Sequence, residues 1–129
     1  MTEIPDALRP ILEAPAFAHL ATVHPDGSPQ SSPMWFLFDG ERVRFTHTSF
    51  RAKFRNLQAN PGMAFSILDP EDPYRYIEVR GVLDEIVPDP TGAFYVELSR
   101  RYGNEDPPPP PDAADRVILV MRIDRVLGR

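Results

Sequence analysis

The chain contains no cysteine. That removes disulfides, thiolate metal sites and a thiol nucleophile, and it suits a reducing cytoplasm. Lysine is almost absent, with Lys53 standing alone among fourteen basic residues. A basic excess is lacking too. Nineteen acidic residues outnumber the fourteen basic ones, for a net charge of -5, which argues against a general nucleic-acid surface. No apolar run approaches the ~20 residues of a membrane span, and no basic stretch leads into an apolar one near the first residue. No membrane partner is expected, and a cytoplasmic location is. His19, His24 and His47 show no ligand spacing, so no metal site is expected. Ser31 and Ser32 lack the glycine context of a hydrolase nucleophile, and Asp69, Glu71 and Asp72 lack the calcium-loop pattern.

What is present suits one domain over residues 1–129. Pro5 to Ala14 reads as a short helix, with Leu8, Ile11 and Leu12 on one face. Strands are expected at Phe17–Val23, Gln30–Phe38 and Arg42–Thr48, joined by turns at 24–28 and at Asp39-Gly40. Ser49 to Asn60 reads as a helix capped by Thr48 or Ser49, with Phe50, Phe54 and Leu57 buried. Met63–Leu68 and Tyr76–Val87 read as strands around an acidic loop, with Gly81 marking a bulge. Asp89–Tyr102 reads as a helix with Thr91 as its cap, and Val117–Val126 as the last strand. The five prolines from Pro107 to Pro111 predict a stiff polyproline II surface connection, with a ligand for a proline-recognising domain as the alternative. Short antiparallel strands with few helices suggest a closed or half-closed barrel.

The chemistry concentrates in Thr46-His47-Thr48-Ser49-Phe50-Arg51-Ala52-Lys53-Phe54-Arg55-Asn56-Leu57. A strand ending in hydroxyls runs straight into a helix carrying three cations. Unpaired N–H groups, the helix dipole and cations together make an anion site. Lys53 lies near the apolar edge, where its stem can rest on the core and its ammonium can face a pocket mouth. Arg51 and Arg55 share one flank and suit phosphate or carboxylate. A merely solvated basic helix explains the same spacing. His47 alternates with Val43 and Phe45, as a hydrogen-bonded core or interface residue would. Trp35 stands opposite Met34 and Phe36, as interface packing or as a stacking wall for a planar ligand.

The order strand, Pro-Asp-Gly-Ser, strand, Pro-Met-Trp-Phe, Asp-Gly, then Arg-Ala-Lys-Phe-Arg-Asn-Leu and Asn-Pro resembles the pyridoxamine-phosphate-oxidase-like split barrels. It is most similar to their actinobacterial branch that uses the deazaflavin coenzyme F420. Tyr-Ile-Glu-Val-Arg-Gly (76–81) and Arg-Val-Ile-Leu-Val-Met-Arg-Ile (116–123) extend the match along nearly the whole chain. The resemblance implies a mainly β fold with short helices: a homodimer of six-stranded antiparallel split β-barrels with the cofactor at the subunit interface. It implies Lys53 on the cofactor phosphate, with Thr48, Ser49, Arg51, Arg55 and Asn56 around the phosphate and the glutamate tail. It places Pro33, Met34, Trp35 and Phe36 against the ring system, and Arg80 reaching across the interface. The second strand lacks the basic pair of FMN-using relatives, and the C-terminal region of a pyridoxamine phosphate site is missing. Both departures favour F420 over FMN. The function implied is an F420-dependent oxidoreductase acting on a planar or unsaturated small molecule, with no catalytic side chain identified. The alternatives are a non-catalytic binding module for F420, haem or another planar anion, and an FMN-dependent oxidoreductase.

Overall fold

Two tight turns and one strand crossing set the course of the sheet in the computed structural model, which describes residues 3–128. The turn after β1 (Ala18–Val23) is closed by Gly27 at φ 90° and by the Asp26 carboxylate, which accepts from the Ser28 amide. β2 (Pro29–Met34) returns along β1. The second turn joins β3 (Leu37–Phe38) to β4 (Arg42–Thr48). There Gly40 has φ 99°, and Asp39 accepts from the amides of Glu41 and Arg42. β5 (Gly62–Asp69), β6 (Asp72–Pro88) and β7 (Arg116–Gly128) complete one antiparallel sheet in the order β2-β1-β5-β6-β7-β4-β3.

β2 and β3 occupy opposite edges of that sheet, yet only Trp35 and Phe36 separate them. The chain therefore steps from one edge to the other and curls the sheet into a split barrel, with β2 laddered only to β1 and β3 only to β4 among the described residues. The single strand expected over Gln30–Phe38 is two short ones, because a strand that changes edges must leave one ladder before joining the next. Counted as one interrupted strand, they give the expected six-stranded split barrel.

The step has its own hydrogen bonds. α3 (Ala93–Arg101) ends beside it. The Tyr102 hydroxyl accepts from the Phe36 amide at 3.0 Å and donates to the Ala16 carbonyl at 2.6 Å. Arg101 donates to the carbonyls of Phe36, Glu13 and Ala14. Burial pushes the Tyr102 phenol above its ordinary pKa, so the donated proton is retained. Inside the barrel, Phe36 and Phe45 pack on Phe65, and all three are essentially unexposed.

Several boundaries differ from the sequence reading. α1 is shorter (Arg9–Glu13), though Leu8, Ile11 and Leu12 are buried as expected. α2 spans Ala52–Ala59, because the Ser49 amide is committed to the Asp115 carbonyl and Arg51 is extended. Neither Thr48 nor Ser49 caps it. Phe50, left outside the helix, is 56% exposed rather than buried. α3 starts after Gly92, and the buried Asp89 carboxylate, not Thr91, receives the amides of Phe94 and Tyr95. The acidic loop shrinks to a tight turn inside the β5–β6 hairpin. Gly81 does sit at a register shift, and a Cβ there would lie 1.9 Å from the Arg122 carbonyl oxygen. No described helix is long and apolar enough to cross a membrane.

The step generates a prediction. Tyr102→Phe leaves the Phe36 amide and the Ala16 carbonyl without this partner, at a cost of about 1–3 kcal/mol. Urea denaturation should show that loss at unchanged m-value. Wild-type stability in the variant would remove the hydroxyl from this role.

Candidate functional site

The end of β4, the middle of β2 and the start of α2 converge on a cavity of about 660 Å³. Its walls are of two kinds. Phe17, Pro33, Met34 and Trp35 form an apolar side. Gln30, Ser32, Thr46, His47, Arg51, Lys53 and Arg116 form a polar, cationic side.

α2 explains the cationic side. Its buried residues are Lys53, Asn56 and Leu57, spaced i, i+3, i+4, so two of the three are polar. Asn56 is 2% exposed and donates to the Thr22 hydroxyl on β1 at 3.2 Å, which locks the helix to the barrel. Lys53 is 6% exposed and donates to the Ser32 hydroxyl. Burial first, and the Arg51 charge second, hold the Lys53 pKa below its ordinary value. Among the described residues no carboxylate pairs with Lys53, Arg51 or Arg55. A buried ammonium without a counter-ion is costly, and it fits a site that receives its anion from solution.

β7 supplies a further cation across the barrel seam. Arg116 donates to both Asp112 oxygens and to the Thr46 hydroxyl, and its guanidinium lies 4.7 Å from the centre of the Tyr95 ring. His47 is buried between these groups with its Nε2 unpartnered. Burial, then the charges of Lys53, Arg51 and Arg116, push its pKa down to about 4. The expectation of a hydrogen-bonded His47 does not hold for that atom. The Gln30 Oε1 and Thr48 Oγ1 atoms are also buried without partners.

On the apolar side Trp35 stacks on Tyr102, with centroids 5.1 Å apart and planes 15° apart, and tilts against Tyr95. It also lines a second cavity of about 370 Å³ walled by Tyr95 and Pro107–Pro111.

The structure brings Lys53, Arg51, Pro33, Met34 and Trp35 together around the main cavity. Ser49 lies at the approach to α2, and Thr48 is fully buried on β4. Arg55 is exposed and donates to the Phe50 carbonyl at 2.7 Å. Phe36 is in the core. Arg80 is exposed on β6, paired with Glu78 at 2.6 Å. Sequence reasoning missed Arg116, Gln30 and Thr46 as cavity residues. The pairing of Thr48 with Arg116 in the β4–β7 ladder brings Arg116 there, and no local spacing reveals it. Among the described residues no group of three or more His, Asp or Glu side chains is arranged to hold a metal.

His47 links folding to pH. Its imidazole titrates near 6.5 when unfolded and near 4 when folded, so the unfolded chain binds more protons between those values. Stability therefore falls as pH drops through that window. His47→Gln should reduce the loss between pH 7 and 4.5 by on the order of 2 kcal/mol in urea denaturation. Equal losses in both proteins would show that His47 does not carry this term.

Comparison with known proteins agrees with the fold. The profile of the pyridoxamine 5′-phosphate oxidase family matches residues 4–129. No curated protein sequence matches the chain. A solved structure named F420 reductase is 54% identical, with TM-score 0.93, over 96% of this chain and 98% of its own. A conserved hypothetical protein from Mycobacterium tuberculosis is 24% identical, with TM-score 0.75, over 98% of this chain and 84% of its own. HupZ from Group A Streptococcus is 19% identical, with TM-score 0.68, over 98% and 94%. The last two likenesses concern the fold alone. With the family profile spanning nearly every residue of a barrel closed at Trp35–Phe36, the chain belongs to the pyridoxamine 5′-phosphate oxidase family.

Proposed function

We propose that the cavity binds the deazaflavin coenzyme F420, and that the protein is a cytoplasmic, homodimeric F420-dependent reductase of planar or unsaturated small molecules. One observation carries the reading. The cavity sets buried Lys53 and exposed Arg51, neither paired with a carboxylate among the described residues, against an apolar side of Pro33, Met34 and Trp35. A ligand with an anionic tail and a flat ring fits both. The 54% identical relative named F420 reductase supports it.

Lys53, which donates to the Ser32 hydroxyl, would hold the phosphate, with Arg51 lining the same cavity. Ser49 and exposed Arg55 extend the cationic track toward a glutamate tail, while Thr48 and Asn56 support it from the buried side. Pro33, Met34 and Trp35 lie along the ring, and Phe36 backs them from the core. When bound, the reduced coenzyme supplies a hydride at a ring carbon, and the acceptor gains that hydride and a solvent proton. The chain's contribution is to orient the ring and keep water from its face. FMN is disfavoured because β2 carries no cation.

The dimer is supported by apolar side chains left on the surface. Leu68 and Tyr76 are cross-strand neighbours on β5 and β6, 55% and 42% exposed, and Phe17 at the cavity rim is 54% exposed. A second copy would cover them, with Arg80 facing the partner. Light scattering at micromolar concentration should give twice the 14.6 kDa chain mass. A monomer would remove the interface site.

F420 and FMN are titrated separately, following ligand fluorescence and Trp35 emission. F420 should bind more tightly, and Lys53→Ala should weaken it at least tenfold. Unchanged affinity in that variant would sink the Lys53 role, and FMN preference would sink the cofactor assignment. Turnover is then tested with quinones, enones and bilins. Tight binding with no turnover on any of them would favour a binding module over a reductase.

A further inference from the structure

A histidine that is 6% exposed, lines a cavity and has a ring nitrogen without a partner is an expensive core residue. An apolar side chain of similar size would fill the space of His47 without leaving a polar atom orphaned. Its neighbours deepen the problem. Arg51 and Lys53 face it from the start of α2, and Arg116 faces it from β7. All three repel a protonated imidazole. The carboxylate joined to this network, Asp112, is committed to Arg116 through two hydrogen bonds. On its own strand the neighbouring cavity residue is Thr46, whose hydroxyl receives Arg116. β3, paired with β4, contributes only Leu37 and Phe38, and α3 brings the neutral Tyr95 against Arg116. β2 contributes Gln30 and Ser32, which do not titrate. Among the described residues nothing therefore favours the charged form of His47.

An anion in the cavity reverses this balance. It offsets the repulsion from three cations and gives Nε2 a hydrogen-bond acceptor. A cavity of about 660 Å³ has room for such a group beside the imidazole. We propose that His47 is a ligand-contacting residue whose Nε2 bonds the anionic group held by Lys53, Arg51 and Arg116, and that it takes up a proton as that group enters. The identity of the physiological ligand rests on the F420 reading; the chemistry at His47 requires only a phosphate-like or sulfate-like anion. By linkage, a site that gains a proton on binding has an affinity that rises as pH falls toward the range where His47 charges. The phosphodiester of F420 does not titrate there, but its glutamate carboxylates do; sulfate stays ionised across that range and isolates the proton taken up by the protein.

The His47 ring resonances are followed by proton–carbon NMR from pH 4 to 8 in the free protein, with sodium sulfate, and with F420. Exposed His19 and the turn residue His24 serve as internal references, each assigned by its own substitution, so the measurement does not depend on a His47 variant folding. The free midpoint is expected near 4. Either ligand should raise it by at least one pH unit. Calorimetry of F420 binding at pH 6, in two buffers of different ionisation enthalpy, should show fractional proton uptake that His47→Gln abolishes. A purely structural His47 would show neither effect. F420 binding with an unmoved midpoint overturns the inference and leaves the cofactor reading intact. A midpoint raised by sulfate when F420 does not bind supports the inference and overturns the cofactor reading. A midpoint raised by neither ligand overturns the inference whether or not F420 binds.

Discussion

The barrel depends on how the chain crosses from β2 to β3. At Trp35 and Phe36 the backbone belongs to neither edge ladder, and its polar groups need other partners. Tyr102 and Arg101, at the end of α3, supply them. The hydroxyl takes the Phe36 amide and the guanidinium takes its carbonyl, while both also hold carbonyls of the segment that leads into β1. One helix terminus thus binds both sides of the seam. Phe36 is driven into the core, where it meets Phe65, and its neighbour Trp35 is turned outward to stack on Tyr102. Closing the barrel and building the flat wall of the cavity are the same event.

The polar wall follows a different logic. A helix that packs on a barrel ordinarily buries an apolar stripe. α2 buries Lys53 and Asn56 beside Leu57. Asn56 is satisfied by Thr22, so it acts as a fastener. Lys53, with only a hydroxyl partner, and His47, with an orphaned nitrogen, are left in a field of like charge. Such an arrangement costs stability, and an anion bound there would offset that cost.

The proline run also takes part. Pro110 is buried and packs on Gly92, where φ is 73° and a Cβ would lie 2.6 Å from the proline ring. The segment joins α3 to β7, and Asp112 just after it holds Arg116 at the cavity. The stiff surface connection is therefore also a wall, shared through Trp35 with the main site.

Local spacing made the helices, the hairpin turns, the Gly81 bulge and the placing of Lys53 at the apolar edge of its helix legible in the chain alone, because periodicity and turn chemistry act over a few residues. With the order of its motifs, the chain also pointed to its barrel family. Three things were decided only in the tertiary structure. The strand from Gln30 to Phe38 breaks because its two halves pair with different edges. Phe50 is exposed because a long-range bond from Ser49 to Asp115 delays the helix. Arg116 reaches His47 at the cavity because β4 pairs with β7, about seventy residues away along the chain. Nearby residues set local geometry by sterics and periodicity, whereas the charge environment of a buried group is set by whichever distant strands surround it.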